Sequence, residues 1–353
     1  MKHFKLLFCI FFLLEYSTNV LCSHTHRFIA TFAIQHPTPS FLFESFSGRE
    51  DFVIAKAYGR RLVLQPSGDH NLWNATALDA ALSSELGQNY MYLEEDLHVM
   101  TTSTTATYGW PYAGRWSLNV DLWSQGSGSS DITVAVIDTG ILESSLPHFK
   151  YITPGYDFVS EIIADDGDGR DPDYYDVIID ENTTCASPYH GTAMSSIVTG
   201  ELEGSKLFSG ICKNCTLLPI RGLSGCQGGF ASDISDSIFF ALKDPIIGVP
   251  LAERKSDILS LSVTSSTPAA CPSYLASAFS RAAELNVTVV VAAGNQHGDN
   301  ARNYFPCNCH PDVICVMSSD SNGMLSSFSN RYGTVAVPGQ SIPVLTSALE
   351  DQA

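Results

Sequence analysis

The chain has 353 residues, of which 44% are hydrophobic and only 16% are charged, and its formal net charge is −18. This composition excludes an intrinsically disordered chain, and the length suffices for one large domain and a smaller one. The strong acidic excess argues against nucleic acid as a partner. We therefore expect a soluble globular protein with a sizeable core.

The first 22 residues have the pattern of a secretory signal peptide. Lys2 and Lys5 precede an apolar run from Leu6 to Leu14, and a plausible cleavage point follows near Ser23. The apolar run is too short to span a bilayer, although an uncleaved membrane anchor is the alternative interpretation. We expect a secreted, extracellular monomer that has no membrane contact after signal cleavage.

The cysteine count supports an oxidising compartment. Removing Cys9 and Cys22 with the signal peptide leaves eight of the ten cysteines, and an even number in a secreted chain favours disulfides. Cys212-x-x-Cys215 and Cys307-x-Cys309 suggest zinc as an alternative, but no paired spacing completes a tetrahedral set.

Residues 23–104 have the pattern of a separate small α+β module. Strands are predicted over His26–Ala33 and Tyr90–Leu93, and helical spacing runs from Ala75 to Leu86. A Thr- and Ser-rich linker over 101–107 follows, so the second domain is predicted to occupy 105–353.

Beyond Ser130 apolar strands alternate with helical stretches. This rhythm predicts an α/β domain with a parallel sheet and helices on both faces. Either Ser232 or Asp233 is expected to cap the first of two later helices. Strands are predicted over Ile132–Asp138, Thr216–Ile220, Ile258–Val263 and Val287–Ala292, and helices over Ser232–Leu242 and Ser273–Leu285.

Three polar residues stand at the ends of such segments. Asp138 ends a buried strand, His190 precedes a helix of small residues, and Asn295 follows a second apolar strand. Each alone is compatible with a turn or a structural role. Asp138-Thr-Gly also resembles the half-site of an aspartic protease, but those enzymes need two such carboxylates, and the chain has no second Asp-Thr-Gly or Asp-Ser-Gly.

Together, Val-Ile-Asp138-Thr-Gly, His190-Gly-Thr-Ala-Met and Ala-Ala-Gly-Asn295 resemble, in order and spacing, the motifs of the subtilisin-like serine proteases. The resemblance implies a three-layer parallel-sheet peptidase domain acting on polypeptides. Asp138 would orient His190, His190 would act as general base on a serine, and Asn295 would donate to the oxyanion. Ala193 departs from the family, since many members carry a second histidine there.

The same resemblance assigns two further regions. Residues 23–104 resemble the family's propeptide, a folding chaperone and temporary inhibitor. Ser262, Val263 and Thr264 align with the Ser-Leu-Gly segment that pairs with the substrate backbone, and Ala292, Ala293 and Gly294 complete the expected substrate-binding residues. Thr264 replaces a glycine and is expected to narrow the primary specificity pocket, so the family's substrate preference is not carried over.

The family's nucleophile lies in a Gly-Thr-Ser segment, which these 353 residues do not contain. Ser347 is the last serine, but no glycine precedes it and no helix can follow it. We therefore expect the chain as given to be inactive. It is either a truncated serine endopeptidase, the interpretation we favour because Asp138, His190 and Asn295 are all intact, or a natural pseudoprotease that binds peptides or regulates.

Two stabilising features are also implied. Related secreted subtilases bind calcium, and a structural Ca²⁺ is expected at a set of hard carboxylate ligands, Asp166, Asp168, Asp171, Asp173 and Asp176. A solvated acidic loop is the alternative. Family likeness further implies the disulfides Cys185–Cys226 and Cys271–Cys309.

Overall fold

The structure is a computed structural model that describes residues 27–32, 52–58, 61–66, 75–86, 90–101, 127–160, 163–164, 166–177, 189–201, 210–225 and 228–345. The chain divides into two compact units, Met1–Leu93 and Glu94–Ala353. The expected signal peptide, Cys185, Cys226 and Ser347 lie outside the described residues.

In its described residues, the first unit contains a four-stranded sheet and one helix. The sheet order is β2-β3-β1-β4, and β3 pairs antiparallel with both β1 and β2. The helix α1 (Ala75–Leu86) has the predicted bounds, and its Leu78 and Leu82, four residues apart on one face, are buried. The strands are β1 (Phe28–Phe32), β2 (Phe52–Tyr58), β3 (Arg61–Pro66) and β4 (Tyr90–Glu95), which continues into the second unit.

The second unit is built on a seven-stranded sheet with the order β14-β13-β12-β10-β6-β8-β7, and its pairings are parallel. Every residue of β6 is buried, as its β-branched and apolar sequence predicts. The predicted parallel α/β domain is confirmed. The strands are β6 (Thr133–Asp138), β7 (Tyr156–Asp157), β8 (Thr216–Arg221), β10 (Ile258–Leu261), β12 (Thr288–Ala292), β13 (Ile314–Ser319) and β14 (Val335–Pro338).

In the part of the second unit that the structure describes, three α-helices and a small sheet accompany the large sheet. The helices are α2 (His190–Thr199), α3 (Ala231–Ala241) and α4 (Ser273–Glu284). The small sheet has the order β11-β5-β9, with β5 (His98–Thr101) between β11 (Val263–Ser265) and β9 (Gly229–Phe230), and both pairings are antiparallel. Within the described ranges no helix combines the length and the apolar character needed to cross a membrane.

The predicted cap of α3 is wrong. The helix begins at Ala231, and Phe230, in the cap position, contributes no side-chain hydrogen bond. The backbone N–H of Ser232 instead donates to Oδ1 of Asp96 at 3.0 Å. A carboxylate from a distant segment therefore satisfies the exposed amide that a local cap would otherwise bind.

Three disulfides lie among the described residues. Cys271 is bonded to Cys309, the pairing that the resemblance implied. Cys212 is bonded to Cys215, and Cys307 to Cys315. The four cysteines considered as zinc ligands, Cys212, Cys215, Cys307 and Cys309, are thus all disulfide-bonded.

Candidate active site

The candidate site lies where parallel strands end. β6 ends at Asp138, the neighbouring β10 leads into Ser262, and β12 beyond it leads into Asn295. Because β6, β10 and β12 are adjacent and parallel, their carboxyl ends share one edge of the sheet. Ligand sites in α/β folds are found at this edge.

Asp138 and His190 form a buried pair. Nδ1 of His190, the first residue of α2, lies 2.7 Å from Oδ1 of Asp138. Only 1% of Asp138 and 3% of His190 is exposed, so water does not compete for the contact. The backbone N–H of Thr139 donates to the same oxygen at 2.8 Å. This geometry assigns the imidazole proton to Nδ1, which leaves Nε2 as the basic nitrogen.

The first turn of α2 is seated closely against the turn after β6. The backbone N–H of Gly191 donates to Oγ1 of Thr139 at 2.9 Å, and Leu142 N–H donates to Oγ1 of Thr192 at 2.8 Å. A Cβ on Gly191 would lie 2.1 Å from the carbonyl oxygen of Gly140, so only glycine permits this approach. The absence of a side chain at Gly191 therefore lets the start of α2 lie directly against the turn after β6.

Asn295 stands in a turn that a buried asparagine holds from both sides. Nδ2 of Asn330 donates to the carbonyl of Ala293 at 3.0 Å, and its Oδ1 accepts from Gln296 N–H at 2.9 Å. Gly294 has a φ of +95°, and a Cβ there would lie 2.4 Å from Oε1 of Gln296. The turn is therefore specified by glycine and by Asn330, whose anchoring role sequence analysis missed.

The expected substrate-binding segments come together at this edge. Thr264 is 4% exposed, and its Oγ1 lies 3.2 Å from the position a Cβ on Gly294 would take. β11, which contains Thr264, pairs antiparallel with β5 in the register Val263 to Thr101 and Ser265 to Val99. The segment that was expected to bind an extended peptide is thus paired with an extended segment of this chain.

The structure does not bring the five expected calcium ligands together. Asp166 forms an ion pair with Arg221, which also pairs with buried Asp157. Asp176 is buried and accepts from Oγ1 of Thr139 at 2.6 Å. The other three, Asp168, Asp171 and Asp173, are exposed or half-buried. Among the residues that the structure describes, no three acidic, histidine or cysteine side chains group as metal ligands do.

Burial and charge separate these acids into two kinds. Burial raises the pKa of Asp176 to about 7. Although burial disfavours the guanidinium charge, the carboxylates of Asp157 and Asp166 raise the pKa of Arg221. In the exposed part of the loop, repulsion from Asp171 raises the pKa of Asp168. Asp166 and Asp176 are therefore bound to Arg221 and Thr139. The charged groups that raise the pKa of Asp168 are other aspartates of the loop.

Two acidic residues that bind the starts of α3 and α4 were given no role in the sequence analysis. Glu94 accepts from the N–H and the hydroxyl of Ser273 at 2.9 and 2.5 Å, at the start of α4. Asp96 accepts from the N–H and hydroxyl of Ser232 and, at 3.1 Å, from the hydroxyl of Tyr274. The acidic run after Tyr90–Leu93 was visible in the sequence, but its helix partners were not.

Comparison with known proteins agrees with this geometry. The family model described as the subtilase family matches residues 129–350. The chain is 30% identical over 311 residues to an extracellular protease of Xanthomonas campestris pv. campestris, covering 83% of this chain and 49% of that protein. It is 28% identical over 255 residues to an extracellular basic protease of Dichelobacter nodosus, covering 66% and 40%. The chain thus spans half or less of the length of these curated relatives.

Solved structures give the same result. A protease from Pseudoalteromonas arctica is 31% identical, with a TM-score of 0.57 over 67% of this chain and 73% of that one. The S393A mutant of the epidermin leader peptide processing serine protease from Staphylococcus aureus has a TM-score of 0.61 over 90% and 76%, and at 18% identity it supports the fold alone. The matched region, with Asp138 and His190 paired at the edge of a parallel sheet, places the chain in the subtilase family.

Proposed function

We propose that the protein is a secreted serine-type endopeptidase in which Asp138 and His190 are the carboxylate and base of a Ser-His-Asp triad. The observation that carries this proposal is the buried 2.7 Å contact between Nδ1 of His190 and Oδ1 of Asp138. Secretion is supported by the names of the relatives, which are extracellular proteases, and by the signal-like first 22 residues.

Each residue of the site would have a separate role in peptide-bond hydrolysis. Asp138 holds the Nδ1 proton and stabilises the imidazolium that forms when Nε2 of His190 takes a proton from the attacking serine. His190 then returns this proton to the leaving amine. Asn295, held in its turn by Asn330, would donate its side-chain amide to the tetrahedral oxyanion.

The substrate would bind as an added strand on β11. The backbone of Val263–Ser265 already pairs with His98–Thr101, which supports this edge as a site for an extended peptide. We infer that residues 23–104 are a propeptide whose last strand occupies the substrate's place until it is removed. Thr264 is buried, and its hydroxyl lies close in space to Gly294. We therefore expect substrates with a small side chain at the position that faces Thr264 and Gly294.

Catalysis also needs a serine, and these 353 residues contain no Gly-Thr-Ser segment. We propose that a chain of these residues alone does not cleave peptides, and that hydrolysis belongs to a form that includes the serine. A pseudoprotease that only binds peptides is the second candidate, and the β5–β11 pairing is the observation that favours it.

A fluorophosphonate probe distinguishes the two candidates. We expect labelling and casein hydrolysis by a natural form that extends beyond Ala353, and neither by the 353-residue chain. His190→Ala in the longer form should abolish both, since loss of the histidine lowers kcat of a subtilisin by roughly 10⁶-fold. A longer natural form that folds and remains unlabelled would contradict the peptidase proposal and support the peptide binder.

Calcium is a separate proposal, limited to the exposed part of the acidic loop. Its support is that Arg170, the basic residue within this loop, donates to Asp233 and Asp236 rather than to Asp168 or Asp171. We expect chelation to lower the Tm of the chain, and Asp168→Asn to reduce that loss, because a hard cation would relieve the local repulsion. An unchanged Tm on chelation would contradict the calcium site.

A further inference from the structure

We propose that Asp176 is a positioning residue that, through the hydroxyl of Thr139, fixes the start of helix α2 and with it the imidazole of His190. The proposal rests on the proposed function for the role of His190. It assigns Asp176, one of the acids expected to bind calcium, to the support of the Asp138–His190 pair.

The Thr139 hydroxyl links the acid to the helix. Its single proton is donated to Oδ2 of Asp176, at an oxygen–oxygen distance of 2.6 Å. Its lone pairs are then directed to the backbone N–H of Gly191, at 2.9 Å. The carboxyl group accepts at Oδ2 whether or not its other oxygen carries a proton, so it sets the direction of the hydroxyl in both states.

The N–H of Gly191 is one of the first-turn amides of α2 and has no carbonyl partner within the helix. Tyr189, in the cap position, has a left-handed backbone and contributes no side-chain cap. The hydroxyl of Thr139 therefore caps the helix by accepting from Gly191, the residue after His190. A shift of this turn would move the imidazole relative to Asp138.

Asp176 is itself held firmly. Its backbone N–H donates to the carbonyl of Ile141 at 2.9 Å, and Ile141 N–H donates to the carbonyl of Tyr174 at 3.3 Å. Only 6% of Asp176 is exposed. The charged groups that act on its carboxyl group are Arg221 and Asp138. A rigid acceptor of this kind fixes the hydroxyl, whereas an exposed acid would allow it to rotate.

The test measures the helix start and the imidazole directly, on the 353-residue chain. In native-state hydrogen exchange we expect Asp176→Ala to speed exchange of the Gly191 amide by roughly five- to thirtyfold relative to amides of β8, the factor that one weakened buried bond produces. The proton resonance of His190 Nδ1–H, assigned by its absence in His190→Ala, should shift and broaden. Thr139→Val should have the same two effects, and Thr139→Ser, which keeps the hydroxyl, should have neither.

Asp257→Ala is the matched control. Oδ2 of Asp257 accepts from the N–H of Thr133 at 2.9 Å, at the opposite end of β6. This variant should lower global stability and leave the His190 resonance in place. If Asp176→Ala does not fold, Asp176→Asn should produce smaller changes in the same direction.

Two results would overturn the proposal. One is a Gly191 amide and a His190 resonance that change no more in Asp176→Ala than in Asp257→Ala. The other is a wild-type chain without a hydrogen-bonded Nδ1–H resonance, which would contradict the Asp138–His190 pair itself and so the proposed function as well. The first result leaves the proposed function intact, so the two failures are distinguishable.

Discussion

The helices at the carboxyl edge of the sheet begin in two different ways. In the first turn of α2, the N–H of Gly191 donates to the hydroxyl of nearby Thr139, and the hydroxyl of Thr192 accepts from the N–H of Leu142. The first turns of α3 and α4 are bound by carboxylates that lie 136 and 179 residues earlier in the chain, Asp96 and Glu94. The contacts of the Asp138–His190 half of the site therefore lie within residues 138–192, whereas the half proposed to bind substrate depends on residues 94–101.

This difference explains how the second unit would respond to loss of that segment. β5 covers the edges of β9 and β11, so loss of residues 94–101 exposes two strand edges. The same loss removes Asp96 and Glu94, which bind the amides at the starts of α3 and α4. None of the contacts between Asp138, Thr139, His190 and Gly191 involves residues 94–101. A propeptide that acts as a folding chaperone would thus act on the substrate side of the site.

The largest effect at neutral pH is expected for Asp96→Ala. The substitution removes the acceptor for the Ser232 N–H, the Ser232 hydroxyl and the Tyr274 hydroxyl, all of them buried. We expect a loss of about 3 kcal/mol in the free energy of unfolding, because each buried donor left without its charged partner is costly. Urea denaturation measures this loss, provided that the m value of the variant equals that of the wild type.

Glu94→Ala is the control for that prediction. Glu94 binds the start of α4 through Ser273, but this contact is exposed to solvent. Water replaces a lost exposed cap, so we expect only about 1 kcal/mol. Equal losses for the two variants would show that burial of Asp96 is not what makes the α3 start dependent on the upstream segment.

The same comparison shows how far sequence analysis reached. Sequence analysis singled out Asp138, His190 and Asn295 because each stands in a short motif of consecutive residues, and the structure brings the first two into contact. The partners of Asp96 lie more than 130 residues away, so no local pattern pairs this acid with α3. The cap expected from Ser232 or Asp233 was wrong for the same reason, because the distant carboxylate of Asp96 accepts from the first-turn N–H of Ser232.

The acidic loop shows a second limit. Spacing and charge group Asp166, Asp168, Asp171, Asp173 and Asp176 as one set, whereas the fold separates them by burial. Asp176 is buried and accepts from Thr139, the residue after Asp138, which is 37 residues earlier in the chain. Which acid of a cluster is buried depends on how the loop folds back onto the sheet, and the sequence around Asp176 carries no periodic signal for that.

The pH dependence of stability offers a more selective test of Asp176, the residue that anchors the start of α2 through Thr139. Burial raises its pKa in the folded chain to about 7, above the roughly 3.9 of an unfolded aspartate. The folded state therefore holds this proton where the unfolded state has lost it. The resulting stabilisation is fully present below about pH 4 and is lost as the pH rises through 7.

Asp176→Asn removes this titration and leaves Arg221 and Asp138, the charged groups that act on it, in place. The free energy of unfolding of the wild type minus that of the variant should therefore fall between about pH 4 and 7, by at most about 1.4 kcal/mol per pH unit. Urea titrations at several pH values give this difference. A difference that rises with pH would mean that Arg221 keeps Asp176 ionised in the folded chain, and the start of α2 would then depend on a long-range charge, as the start of α3 does.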